Sequence, residues 1–386
     1  MKSKKTFVTI FTAAENFHLV KDVGQIPYFM YKIEGYAASL VCYKNNSEYP
    51  YLNQEVKGLK LRFIRNFGRL FYFEAGVIKY LLSSSKAIDI LNLFHFKKDN
   101  LFYLLVYKLL NRKGKAFIKL DVDLLFFKQY NAFFYSRNKL KNYFLKHVTS
   151  WIFGLTDLIS IETEDGKEYL LKVYPQLQDK LICIPNGVDD LYLEQIIKVK
   201  PFHEKENIIL TVGRIGTFQK NTTLFLEALA MTDLKDWKVY ILGPIEESFT
   251  RYINQFFEKY PYLRDQVIFT GNISDRKELF EWYNKAKIFC LTSRFEGFPV
   301  TFPEALYFGN YIISTTVSGA EFVTDNGRSG VVAEGDVSGL SKAIQHSIAP
   351  GFLKSQKFED IKQFSKENFI WSGIINSLSN RLRQDA

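Results

Sequence analysis

Two glutamates eight positions apart, Glu296 and Glu304, sit among Gly297, Phe298, Pro299 and Pro303 in the stretch SRFEGFPVTFPEA, Ser293 to Ala305. Carboxylates so placed could act as an acid and a base, ligate a metal ion, or accept hydrogen bonds from sugar hydroxyls. Pro303 suits the first turn of a helix that begins near Thr301. Glu296 then lies on the loop before the helix and Glu304 in its first turn, where an acidic residue also simply complements the helix dipole. The amides of Val300, Thr301 and Phe302 would open an anion site at the helix start. Gly297-Phe298-Pro299 forms a non-helical turn that aims Glu296 and lets backbone approach a ligand. A second loop, VGRIGTFQKNTT, brings Gly213, Arg214 and Lys220 after an apolar run. Its two cations suit a diphosphate, Arg as a fork of donors and Lys as a mobile point charge. A solvated loop is the competing reading of that segment.

These loops need a scaffold, and the second half of the chain supplies one by pattern. NIILTVG, KVYILGP, QVIFTGN, IFCLTSR and YIISTTV are short apolar runs, separated by amphipathic stretches such as SFTRYINQFFEKY and DRKELFEWYNKAK. Strands alternating with helices predict a parallel sheet covered on both faces. The first half is less regular but similar, with TFVTIFT, ASLVCYK, LKLRFIR, AIDILNLF, KAFIKLD and LISIET as candidate strands. At 386 residues the chain is too long for one ordinary core. The fold class expected is α/β, two facing Rossmann-like doubly wound domains with a cleft between them. Ligands bind beyond the carboxyl ends of such strands, so the cleft is the expected site. The boundaries expected are 1–195 for an acceptor-binding domain and 196–365 for a donor-binding one. The last segment, 366–386, is expected as a helix crossing back to the first domain. Its FSKENFIWSGIINSLSNRLRQ carries Phe369, Trp371, Ile374, Ile375 and Leu378 near helical spacing.

Composition narrows the function classes. Apolar content of 47% and charged content of 24% are those of a globular protein. Cys42, Cys183 and Cys290 lie in separate apolar runs, which points to buried inert thiols in a reducing cytosol rather than a disulfide or metal site. The opening apolar run is broken by Glu15 and Asn16, so it reads as a strand rather than a signal peptide. The run beginning NLFYLLVYKLL is too short to span a bilayer. Residues 1–190 hold 28 Lys and Arg against 18 Asp and Glu, a net of +10, whereas residues 191–386 hold 23 of each. The basic half is therefore expected to meet something anionic. LRFIRNFGRLFYFEAG and NLFYLLVYKLLNRKGK interleave aromatics with Arg and Lys there, as a face on an anionic membrane would. A core with a solvated charged face is the alternative.

VGRIGTFQKN, SRFEGFPVTFPEAL, VSGAEFVTDNGRSGVVAEGD and IPNGVD together resemble the donor-binding half of the family 4 retaining glycosyltransferases, of the two-Rossmann-domain (GT-B) fold. The pair Glu296 and Glu304 matches that family's E-x7-E signature. The resemblance implies that Arg214 and Lys220 hold a nucleotide diphosphate, with Gly213 beside them. It implies Glu304 on the ribose hydroxyls and Ile273 against the base. Glu296, with Gly297, Phe298 and Pro299, would meet the donor sugar, and Val300 and Thr301 the distal phosphate. It further implies transfer with retention, no enzymic nucleophile, and no metal cofactor, the cationic loop stabilising the leaving diphosphate instead. The second-half loops lack a D-x-D of the metal-binding kind, whereas LDVD, with Asp121 and Asp123, spells one in the first half.

The first half matches the family less well. Many relatives place a His after the strand corresponding to KAFIKLD, where this chain has Lys119, Asp121 and Asp123. Asp121 is the residue expected near the reacting centre, with His95 after an earlier strand as a second candidate. Gly24 is a candidate for bringing a helix N-terminus to the acceptor or phosphate side. The function expected is transfer of a hexosyl group from a UDP- or GDP-sugar to a saccharide acceptor, lipid-linked, in cell-surface polysaccharide or lipopolysaccharide assembly. The expected location is the cytosolic face of the membrane, peripherally bound. Two other classes compete: a non-hydrolysing sugar-nucleotide epimerase of the same fold, and a non-enzymatic polyanion binder. The His-poor sequence weakens the first, and the lack of any nucleic-acid-binding pattern weakens the second.

Overall fold

The computed structural model of the chain describes residues 4–70, 73–121 and 137–384. It divides into two compact units, Met1–Asp189 with Trp371–Ala386, and Asp190–Ile370.

The first unit is built on a parallel sheet. Its strands are β1 (Thr6–Ile10), β2 (Ala37–Cys42) and β3 (Lys60–Phe63); a short antiparallel pair, β4 (Arg69–Leu70) and β5 (Phe73–Glu74), stands apart. Then follow β6 (Ile90–Phe94), β7 (Lys115–Lys119), β8 (Leu158–Ile161) and β9 (Leu181–Cys183). Every residue of β6 and β8 is buried, as strands covered on both faces require. The order is β3-β2-β1-β6-β7-β8-β9, so the winding reverses between β1 and β6. At that reversal Thr9 donates to Asn92 across the buried sheet, 3.0 Å. The helix Trp371–Gln384 belongs to this unit and lies along the helix Asp22–Lys32. Trp371, Ile375 and Leu378 are buried, and Ser379 and Arg383 both reach Glu34, at 2.7 and 2.6 Å.

The expected single C-terminal helix is two. One helix, Ser355–Asn368, ends before Phe369, and the next starts at Trp371. Phe369 leaves the helical conformation to bury its ring against Phe298, Phe322 and Phe364, a packing gain that overrides local propensity.

The second unit carries β10 (Ile208–Val212), β11 (Lys238–Leu242), β12 (Val267–Gly271), β13 (Ile288–Leu291), β14 (Tyr311–Ser314) and β15 (Gly330–Val332), all parallel. Their order is β12-β11-β10-β13-β14-β15, with the reversal between β10 and β13. The chain after β10 passes unusually close to the chain after β11. A side chain on Gly243 would place its first carbon 1.8 Å from the Gly213 carbonyl oxygen, and Gly243 has φ +136°. This contact sets where the β10 loop leaves the sheet. Gly243→Ala meets both the clash and the backbone strain and should destabilise the fold by roughly 2 kcal/mol or more. Thermal melting of the variant checks this; an unchanged melting temperature would refute the packing argument.

Candidate functional site

Ligands of a doubly wound sheet gather where the strand order reverses, which in the second unit is the end of β10 and β13. The loops after those strands are joined side chain to side chain. Lys220 Nζ lies 2.6 Å from Glu296 Oε1, which also accepts from Ser293 Oγ at 2.7 Å. Gln219 donates to Glu296 Oε2 at 3.1 Å and accepts from Arg214 at 2.8 Å. Arg294 bridges back to the Phe218 carbonyl and the Asn221 side chain, 3.1 and 2.7 Å, with its guanidinium over the Phe218 ring. Gly213 leaves room for the lysine stem: a methyl there would lie 3.1 Å from Lys220 Cε, so the stem would have to shift slightly. The result is a cationic group, Arg214 and Lys220, held against one carboxylate at the sheet's ligand edge.

Glu304 stands further along, in the short helix Thr301–Tyr307. Its carboxylate is nearly buried and doubly held, by Arg276 at 2.9 Å and by the Tyr283 hydroxyl at 3.0 Å. Both partners come from the helix Arg276–Lys285, started by an Asp275 cap on the Glu278 amide. Burial beside the Glu304 charge pushes the Tyr283 hydroxyl well above its ordinary pKa, so it remains a donor. Ile273 is half-buried in the loop between β12 and that helix.

The helix start differs from expectation. The Phe302 amide donates to the Pro299 carbonyl at 3.1 Å, closing a tight turn that withdraws it from any anion. Val300 and Thr301 remain at the start of the helix, and the buried Thr301 hydroxyl has no partner among the described residues. Phe298 and Pro299 are buried, the Phe298 ring packing edge-on to Phe302. Gly297 is half-buried beside Glu296.

In the first unit, four sequence-marked positions lie near one another at the strand ends. Lys119, wholly buried at the end of β7, pairs with Glu162 after β8 at 2.7 Å and with Asp22 at 3.1 Å. Asp121 is exposed two residues on. His95 follows β6 in a left-handed conformation, φ 64°, with its amide on the Lys119 carbonyl at 2.8 Å. Burial lowers the His95 pKa, with Asp121 opposing. Gly24 is buried in the first turn of the helix Asp22–Lys32, and a methyl there would fall 2.2 Å from the Leu19 carbonyl; its place is one of close packing. Asp123 lies outside the described residues. Cys42 and Cys290 are buried, but Cys183 is only partly so, because β9 is an edge strand. Burial raises the thiols of Cys42 and Cys183 to about 12, leaving them protonated and inert.

Residues 206–349 match the model of the family described as glycosyl transferases group 1. That match lies within the second unit and takes in all six strands of its sheet. Among similar curated proteins is an alpha-1,4-N-acetyl-D-galactosaminyltransferase of Campylobacter jejuni that acts on a diphosphoundecaprenol-linked glycan. It is 29% identical over 227 residues, 52% of this chain and 60% of its own length. An amylovoran biosynthesis glycosyltransferase of Erwinia amylovora is 26% identical over 179 residues, 45% of this chain and 48% of its own. The chain thus spans about half the length of these relatives. Among solved structures, a glycosyltransferase from Rickettsia africae superposes with a TM-score of 0.73 at 16% identity, covering 99% of this chain and 98% of that one. The expected fold class, paired Rossmann-like sheets of the glycosyl transferase kind, is therefore observed.

Several residues of this site were not singled out in the sequence: Gln219, Ser293 and Arg294 around Glu296, and Arg276 and Tyr283 on Glu304. Their types are ordinary for loops and helix faces, and only the fold brings them to the carboxylates. Asp22 and Glu162 were missed for the same reason. Two carboxylates, Asp22 and Glu162, face the ammonium of Lys119, and burial, with the charge of Asp121 and Asp22, raises Glu162 from 4.5 to about 7. Between those values the folded chain holds a proton that the unfolded chain has released, so stability declines as pH rises across that window. The decline should be on the order of 1–3 kcal/mol, and Glu162→Gln should flatten it. Urea unfolding of both proteins from pH 5 to pH 8 measures the difference; parallel curves would contradict the assignment.

Proposed function

We propose that the chain is a nucleotide-sugar-dependent glycosyltransferase. It moves a hexosyl group with retention from a UDP- or GDP-sugar to a saccharide acceptor, lipid-linked, in cell-surface polysaccharide or lipopolysaccharide assembly. The observation that carries the reading is the Lys220–Glu296 pair, with Arg214 alongside, at the strand reversal of the second sheet. Departure of a nucleoside diphosphate develops negative charge on the leaving oxygen, and preorganised cations stabilise it most where they already stand. Arg214 and Lys220 take that role. Glu296, beside Gly297 to Pro299, accepts from the hydroxyls of the donor sugar. Val300 and Thr301 meet the distal phosphate, the unsatisfied Thr301 hydroxyl supplying a donor. Glu304 takes the ribose, its free lone pairs accepting hydroxyls while Arg276 and Tyr283 fix its orientation. Ile273 lines the base, and on this reading the diphosphate is neutralised without a metal.

Asp121 and His95 are the first-unit residues assigned to the reacting centre, where donor phosphate rather than a side chain takes the acceptor's proton. The Campylobacter relative, which acts on a diphosphoundecaprenol-linked glycan, and the Erwinia amylovoran biosynthesis glycosyltransferase support this reading.

Thermal stabilisation by UDP, GDP, ADP, TDP and CMP tests the donor site. A ligand at a hundred times its Kd stabilises by about 2.7 kcal/mol, so one diphosphate should raise the melting temperature of the wild type. Arg214→Ala and Glu304→Ala should lose most of that rise. Stabilisation by none, or equal stabilisation of the variants, would overturn the donor-site assignment.

A further inference from the structure

The helix Lys139–Leu155 has two apolar faces where a surface helix ordinarily has one. Its inner face is spoken for: Thr149, Ile152 and Phe153 are buried in the first unit's core. Its outer face carries Leu140, Tyr143, Phe144 and Trp151, exposed by 82, 68, 65 and 56%. These positions recur at i, i+3, i+4 and i+11, one stripe along the helix. Lys139, Lys141 and Lys146 flank the stripe and are exposed, and the helix contains no Asp or Glu. Beside it, Phe102, Leu105, Leu145, Val148, Trp151 and Ile152 line a groove of about 320 Å³ between this helix and Lys98–Leu110. The groove floor is closed by Phe73, stacked on Phe102 at 3.9 Å.

We propose that this helix is a bilayer-docking element, seating its outer stripe at the acyl boundary of an anionic membrane with its lysines among the lipid headgroups. An amphipathic helix with aromatic and aliphatic residues on one side and lysines on its flanks lies in the interface plane. Each lysine near an anionic surface adds about 1 kcal/mol of attraction. The groove offers a dry seat for part of an acyl chain. Charge argues against a second copy of the chain as the occupant, since it would set one lysine-flanked face against another. No helix among the described residues is long and apolar enough to cross a membrane, so the contact is peripheral. The surface also relocates the expected membrane face: in the segment 100–115, Leu101, Tyr103, Leu104 and Tyr107 are core residues, so that stretch supplies the groove wall rather than the main contact.

Flotation of the full chain with vesicles tests the proposal, using phosphatidylglycerol mixed with phosphatidylcholine and phosphatidylcholine alone at low salt. The wild type should float with the anionic vesicles and far less with the neutral ones. The doubly substituted F144S/W151S and K139E/K146E proteins should each bind about tenfold more weakly or worse, with melting temperatures near the wild-type value. The charge-reversal protein alters only exposed side chains and keeps the test valid should the apolar variant misfold. Wild-type failure to float, or undiminished flotation of the charge-reversal protein, would overturn the proposal. Concentration-dependent self-association abolished by the same substitutions, without vesicle binding, would assign the face to a second copy instead. The measurement needs no nucleotide: a chain that fails to float yet is stabilised by a diphosphate loses this surface and keeps the donor site.

Discussion

The ion pair between Lys220 and Glu296 joins the two strand ends at which the second sheet reverses its winding. Neither charge is freely solvated: their side chains are 17 and 12% exposed, so each depends on the other and on the hydrogen bonds around them. A partly buried charge left without a partner is destabilising by several kcal/mol, which makes the pairing of the two loops a condition of the fold as well as of the chemistry. Gly213, by leaving room for the lysine stem, and Gly243, by letting the neighbouring turn approach, are the backbone conditions for that pair. An incoming diphosphate would compete with Glu296 for the same ammonium group. The ligand-free arrangement is thus preorganised in place and compensated in charge, ready to exchange one anionic partner for another.

The same logic recurs at the strand ends of the first sheet with a different outcome. Lys119 is wholly buried between Glu162 and Asp22, out of reach of any ligand of ordinary size. Its work is positional: it binds the ends of β7 and β8 to the start of the helix Asp22–Lys32, with Asp121 exposed and His95 half-buried beside it. Burial, with the charge of Asp121 and Asp22, raises the Glu162 carboxyl there to about 7.

Much of this was legible from residue order. Five of the six strands of the second sheet correspond to an apolar run between amphipathic segments, because a strand buried on both faces has little freedom to be anything else; β15, three residues long at the sheet edge, does not stand out. Six strands of the first sheet were legible for the same reason. The edge strand β9 and the hairpin β4–β5 were not, being two or three residues long and half-exposed, where pattern carries no information. Glu296, Arg214 and Lys220 stood out by type and by their place after strands. Their mutual contact did not, since 76 positions separate Lys220 from Glu296 and only the strand order closes that distance. Glu304 stood out too, but its buried contacts with Arg276 and Tyr283 are tertiary facts. The unwinding of the C-terminal helix at Phe369 was hidden because local spacing favours continuity and the aromatic pocket that breaks it is assembled from distant segments.

The most direct measurement of the central claim is the affinity of wild type, Lys220→Met and Glu296→Gln for UDP and GDP, by calorimetric titration. If Lys220 is the diphosphate's partner and Glu296 its competitor in the empty site, Lys220→Met should weaken the preferred nucleotide about tenfold or more. Glu296→Gln should bind it at least as tightly as the wild type, because the lysine is no longer engaged, while losing sugar transfer. Binding that is indifferent to Lys220, or that collapses in Glu296→Gln while the protein remains folded, would contradict the account.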